Sequence, residues 1–201
     1  RRYYFNICGK YGNPVSTLLK KVAALDVKTI CPLHGPVLCD NMSHYLDLYG
    51  RWSRYEAETD DVLVAYASIH GNTARIVNTQ LRDMLDARGI GATYIDVTRT
   101  PVSEVISQAF RHARLLLAAC SYDAGLFPPM EDFLMHLRAK GYCSRQVALI
   151  ENGSWAPSAG KTMRALVETM KDITIVEPLV TIKSTLKADS RAQLQQLVNA
   201  L

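Results

Sequence analysis

No stretch of this 201-residue sequence approaches the ~18 to 20 consecutive apolar residues that a membrane-crossing helix needs, so no membrane helix is expected. The longest apolar runs, such as Leu115 to Cys120, have strand length. Like charges never run for five or six residues, and the net charge of +4, from 23 basic and 19 acidic residues, is scattered. The clustered Lys and Arg of a nucleic-acid surface are therefore missing. Cysteine is sparse: Cys8, Cys31, Cys39, Cys120 and Cys143 are an odd number without framework spacing, which fits reduced thiols in a cytoplasmic protein. No Cys-x-x-Cys pair occurs, and His70, His112 and His136 have no paired carboxylate or nucleophile motif, so a hydrolase triad has no support. There is no initiator Met and no signal-peptide layout around Arg1-Arg2-Tyr3-Tyr4-Phe5, so the chain is expected to be a piece of something longer.

What the sequence does contain is the composition of a globular domain, with 48% apolar and 21% charged residues. Beyond a polar, acidic stretch at residues 56–61 the texture alternates regularly. The apolar run Val62 to Ala67 is followed by a helical pattern from Asn72 to about Arg88, a Gly89-Ile90-Gly91 break and a second strand from Ala92 to Val97. A helical pattern from Pro101 to His112 leads to a strand from Arg114 to Cys120, and one beginning at Pro128-Pro129 leads to a strand from Gln146 to Ile150. A helix from about Pro157 to Met170, a strand region between Ile173 and Lys183 and a helix from about Ser190 to Ala200 complete the series. Strands that are apolar throughout suit a parallel sheet covered on both faces. The expectation is an α/β, doubly wound, flavodoxin-like domain over residues 60–201, with five parallel strands in the order 2-1-3-4-5 and a ligand at their carboxyl ends. Residues 1–59, with helical patterns at Ser16 to Leu25 and Met42 to Tyr55 and a strand-like Thr29 to Leu33, are expected to be a truncated α+β segment with a marginal core of its own.

Three loops carry the chemistry. Ser68-Ile69-His70-Gly71-Asn72-Thr73 follows the first strand and opens a helix, placing a glycine, hydroxyl donors and free first-turn N–H groups where a phosphate would sit. It lacks both the Lys of a Walker A loop and the Gly-x-Gly-x-x-Gly of a dinucleotide fold, which leaves a mononucleotide phosphate as the favoured ligand. Ser121-Tyr122-Asp123-Ala124-Gly125 and Asn152-Gly153-Ser154-Trp155 follow the third and fourth strands. Each combines small residues with one aromatic that can flank a flat ring.

These loops, with Tyr66-Ala67 before the first, resemble the flavodoxin domain of the flavodiiron proteins, also called A-type flavoproteins. The front segment, with Arg1-Arg2-Tyr3-Tyr4 and Ile30-Cys31-Pro32-Leu33-His34-Gly35-Pro36, resembles the end of the metallo-β-lactamase-like domain that precedes it in that family. The resemblance implies FMN, with Ser68, Ile69, His70, Gly71, Asn72 and Thr73 at the phosphate and the other two loops around the ring. It implies an oxidoreductase that reduces dioxygen, nitric oxide or both at a diiron centre, with His34 matching the last iron-ligating histidine. It also implies an external donor such as rubredoxin or a flavin reductase, and a head-to-tail homodimer when full length. The family's remaining iron ligands are absent from this sequence, so the chain alone is expected to be inactive. Cys120 and Ser121 stand where the family often has Pro and Thr. The alternative is a stand-alone flavodoxin-like electron carrier or binding module without catalysis.

Overall fold

The computed structural model describes residues 1–201. Five parallel strands form its centre: β1 (Thr59–Ala67), β2 (Ala92–Asp96), β3 (His112–Tyr122), β4 (Cys143–Gly153) and β5 (Lys171–Lys183). Across the sheet they lie in the order β2-β1-β3-β4-β5, the doubly wound arrangement expected from the sequence. A sixth, two-residue strand, Gly125–Leu126, was not expected; it turns back antiparallel on the end of β3, pairing Tyr122 with Gly125 and Ser121 with Leu126. The two residues between, Asp123 and Ala124, both take left-handed backbone conformations, φ 46° and 55°, as a two-residue hairpin turn requires.

Alternating side chains of the central strands feed two apolar layers. Leu63, Leu115, Leu117 and Leu149 face one, which holds Phe110 of α4 (Val102–Arg111), Phe133 of α5 (Pro128–Ala139) and Met163 of α6 (Ala159–Val167). Val62, Val64, Leu116 and Ile150 face the other, which holds Leu81 and Leu85 of α3 (residues 72–87) and Leu194 and Leu197 of α7 (Ala188–Ala200). The helix α3 is one continuous rod made of Asn72–Ile76, Val77–Leu81 and Arg82–Ala87. Residue chemistry marks the helix ends: Pro128 stands in the first turn of α5, where its missing N–H costs nothing, and Gly141 beyond its end has φ 75°.

The strands run further than their apolar stretches. β3 and β4 stay in register through Ala119 with Glu151 and Cys120 with Asn152. Hydropathy stops at Ile150, but Glu151 and Asn152 are buried polar residues whose side chains are hydrogen-bonded, so the ladder carries two adjacent loops up to the same height.

The front segment holds α1 (Gly12–Val22) and α2 (Met42–Ser53), and the expected strand at Thr29–Leu33 is only a single bridge between Ile30 and Leu38. Two further helical turns over Tyr4–Tyr11 were not read from the sequence. They matter because Tyr4 and Phe5, with Trp52 of α2, enter the same apolar layer as Phe110 and Tyr142. Phe5 stacks on Phe110 with ring centroids 3.9 Å apart and planes 8° from parallel. Arg145 lies buried at the base of the sheet and donates to the carbonyls of Tyr55 at 2.5 Å, His112 at 2.9 Å and Phe110 at 3.0 Å, joining the end of the segment to β3. The segment has little core of its own because its large apolar residues are shared with the sheet domain.

Candidate functional site

At the carboxyl end of β1 the chain leaves the sheet through Ser68 to Gly71 and enters α3. Gly71 has φ 85° with nothing within 4 Å of where a Cβ would stand, so backbone conformation rather than crowding calls for glycine here. The Ser68 hydroxyl oxygen accepts the Gly71 N–H at 3.1 Å and closes the loop, and the Arg75 N–H donates to the Gly71 carbonyl at 2.8 Å to start the helix. The N–H groups of Asn72, Thr73 and Ala74 find no acceptor in the protein. Three roughly parallel donors at the positive end of a four-turn helix form an anion cradle.

A second helix start, that of α6, lies beside the same opening, but the protein fills it. The Ser121 hydroxyl oxygen, on the second loop, accepts the N–H of Ser158 at 2.7 Å and of Ala159 at 3.1 Å. The next N–H, of Gly160, donates to the Glu151 carboxylate at 2.7 Å, and the other carboxylate oxygen accepts the Thr181 hydroxyl at 2.7 Å. A Cβ at Gly160 would stand 2.9 Å from the Glu151 carboxyl carbon, so the glycine is what lets this buried acid reach the helix. Of the two helix starts, α3 is free for a ligand anion and α6 is spent on bracing the loops.

Two more contacts lock the opening. The Ser158 hydroxyl donates to the Gly125 carbonyl at 3.0 Å, joining the second and third loops. The Asn152 amide donates to the Ser184 carbonyl at 3.1 Å, while its oxygen accepts the Ser184 N–H at 3.0 Å. A fourth loop, after β5, thus joins the site through a residue the sequence reading missed. The signal was present as a Ser-Thr pair directly after an apolar strand.

Together the loops enclose a cavity of about 740 Å³, the size of small-molecule and cofactor sites. Of the residues expected there, Ser68, Ile69, His70, Asn72, Thr73, Ser121, Tyr122, Asp123, Ala124, Asn152, Gly153, Ser154 and Trp155 line it. Gly71 and Gly125 shape the loops behind the wall instead, and Cys120, Ala156, Ser158 and Ser184 are additions. No lysine or arginine is among the lining residues. Trp155, 85% exposed, and Tyr122, 47% exposed, stand at the rim as large apolar surfaces with one face open. At the floor the Cys120 thiol lies 3.8 Å from the Ala67 carbonyl, and burial pushes its pKa up, so it is an uncharged wall of the cavity near neutral pH.

His34 is elsewhere, exposed in the front segment with its ring stacked on Tyr3 at a centroid distance of 5.2 Å. No three His, Cys, Asp or Glu side chains come together to hold a metal ion, so the residues of this chain do not fit a metal centre by themselves. The donor set at the first loop does fit a phosphate: unspent N–H groups, hydroxyls of Ser68 and Thr73, and a helix dipole.

Fold and site together define a flavodoxin-like α/β domain with a preformed anion cradle at the carboxyl ends of its strands. Among the chain's homologues and structural neighbours are flavodiiron proteins, whose carboxyl-terminal part it matches. It is 29% identical to a putative diflavin flavoprotein A 2 from Synechocystis over 154 residues, 76% of this chain and 26% of that one. To a nitric oxide reductase from Moorella thermoacetica it is 23% identical over 188 residues, 90% of this chain and 46% of that one. Rubredoxin oxygen:oxidoreductase from the anaerobe Desulfovibrio gigas superposes with a TM-score of 0.88 at 16% identity, over 100% of this chain and 50% of that one. The chain thus spans half or less of the length of these proteins. No protein-family model matches it. No helix is long and apolar enough to cross a membrane.

Proposed function

We propose that the chain binds FMN, with the phosphate on the α3 helix start and the ring between the second and third loops. It would serve as the electron-transfer module of a cytoplasmic oxidoreductase that reduces dioxygen, nitric oxide or both at a diiron centre housed largely outside these residues. The observation that carries the reading is the asymmetry of the two helix starts: Asn72, Thr73 and Ala74 keep free donors while Ser121 and Glu151 occupy α6. A ligand with one anionic end and one flat end fits that division. When bound, FMN supplies one- and two-electron transfer. The chain's own part is to hold the phosphate, to brace the ring loops through Ser121, Ser158 and Asn152, and to keep the cavity floor uncharged. Full coverage of this chain by the Desulfovibrio structure supports taking residues 1–59 as the end of the preceding lactamase-like domain and residues 60–201 as the flavin domain. On the same reading His34 belongs to the iron site, which needs further ligands from outside this chain. The donor would be a rubredoxin or a flavin reductase, and the full-length protein a head-to-tail homodimer.

Parallel titration with FMN and riboflavin tests the reading. FMN is expected to bind the more tightly, and Asn72→Asp to weaken FMN about tenfold or more by setting a carboxylate beside the phosphate while leaving riboflavin unchanged. Unchanged FMN affinity in that variant would refute the placement of the phosphate.

A further inference from the structure

The cavity spans the sheet from β1 to β5. Ala67 of β1 pairs with Ala119 of β3, Cys120 of β3 with Asn152 of β4, and Asn152 with Ile182 of β5. Three strand spacings of about 4.8 Å therefore set the loop after β5 about 14 Å from the loop after β1. A bare anion on the α3 start cannot touch both, whereas a ligand with an anionic head and a flat far end can. No charged side chain of the third or fourth loop lines the cavity, so the far end suits a neutral polar group.

Ser184 is the lining residue of that far loop. Its N–H is shared between the Gly153 carbonyl and the Asn152 side-chain oxygen, each at 3.0 Å, and its carbonyl accepts the Asn152 amide at 3.1 Å. Asn152 is 4% exposed, so this clamp lies inside the protein. It holds Ser184 at φ 65°, a left-handed conformation that a residue with a side chain seldom adopts unaided. With its N–H and carbonyl already hydrogen-bonded, what Ser184 offers the cavity is its hydroxyl, which has no partner in the protein. The other lining hydroxyls differ: those of Ser68, Ser121 and Ser158 are engaged within the protein, that of Thr73 belongs to the anion end, and those of Ser154 and Tyr122 are on exposed residues.

We propose that Ser184 is a specificity residue for the far end of the ligand: its hydroxyl hydrogen-bonds the polar edge of the flavin ring, and Asn152 is the positioning residue that locks the backbone carrying it. This rests on the flavin reading above and adds a ring contact on a loop outside the three that carry that reading. A hydroxyl both donates and accepts, which matches a ring edge bearing carbonyl and N–H groups and not the methylated edge opposite.

The test is a fluorescence titration of the purified chain, wild type and Ser184→Ala, with three ligands: FMN, riboflavin, which lacks the phosphate, and lumiflavin, which lacks the sugar chain as well. Asn152 holds only backbone atoms of Ser184, so the substitution deletes the hydroxyl and keeps the clamp, and the urea midpoint is expected to stay where it is. All three ligands are expected to lose affinity by the same factor, about three- to tenfold, the scale of one hydrogen bond. Asn152→Ala frees the Ser184 backbone and is expected to weaken all three as well, and Ser184→Ala added to it is expected to cost less than it does alone. Unchanged affinity in Ser184→Ala overturns this inference while leaving the flavin reading standing. So does a loss confined to FMN, which would put the hydroxyl at the phosphate, or one that spares lumiflavin, which would put it at the sugar chain. A lowered urea midpoint in Ser184→Ala overturns it by giving the hydroxyl a structural role, and additive losses in the double variant overturn the part given to Asn152. Failure of wild type to bind any of the three ligands overturns both readings.

Discussion

The Ser121 hydroxyl oxygen sits 2.7 Å from the Ser158 amide nitrogen, and through that contact a residue of the second loop caps a helix that belongs to the third. Two loops 37 residues apart in sequence thus form one wall. Ser121→Ala removes the acceptor for both Ser158 and Ala159, leaving two half-buried N–H groups unsatisfied. A loss of about 1–2 kcal/mol in unfolding free energy is expected, the usual cost of removing a helix cap. Urea denaturation measures it. A flavin titration on the same variant is expected to show weaker binding, because the ring side of the cavity loses its brace.

Phe5→Ala reports on the front segment. The ring lies wholly inside the shared apolar layer against Phe110, so about 3–5 kcal/mol is expected to be lost. The loss should appear in a single cooperative urea transition that also carries the flavin domain. Two separate transitions, with the variant affecting only one, would show that the segment folds apart from the sheet.

Ala124 holds φ 55° at the tip of the second loop, where an L-residue is strained. Ala124→Gly relieves about 1–2 kcal/mol of that strain against about 0.4–1 kcal/mol of added freedom in the unfolded chain. A small net gain in stability is expected, read as a rise of a few degrees in the melting temperature.

His112 is buried, its Nδ1 2.7 Å from the Gln108 carbonyl and its Nε2 3.2 Å from the Thr93 hydroxyl, and burial lowers its pKa below the ordinary histidine value. The unfolded chain therefore takes up this proton at higher pH than the folded one. Stability from this residue is fully present above about pH 6.5 and falls as pH drops through that value toward the lowered folded pKa. Urea midpoints at pH 7.5 and 5.5 check the sign: the drop on acidification is expected to shrink in His112→Gln.

Much of the site was legible because its elements are local. A glycine between an apolar run and a helical pattern names the first loop, and Pro128 with Gly141 brackets α5 from residue chemistry alone. The alternation of apolar runs and helical patterns fits the observed strand order without fixing it. What escaped depends on contacts between distant residues. Asn152 appears in sequence as a candidate ring contact, yet its amide is occupied by Ser184, thirty-two residues on. Ser121 likewise reads as part of the loop around the ring and turns out to cap α6. The extension of β4 through Glu151 was invisible to hydropathy because a buried acid is tolerated only once Gly160 and Thr181 supply its hydrogen bonds. Tyr4 and Phe5 lay outside any periodic pattern long enough to read, and their burial comes from Phe110 and Trp52.

The central claim is that the cavity is a flavin site, and the most direct measurement is the visible absorption spectrum of the purified chain, before and after adding FMN and then after denaturation. The expected result is a flavin band whose shape is perturbed in the folded protein and relaxes to that of free FMN when the chain unfolds. A folded protein that leaves the spectrum of added FMN unchanged would contradict the account.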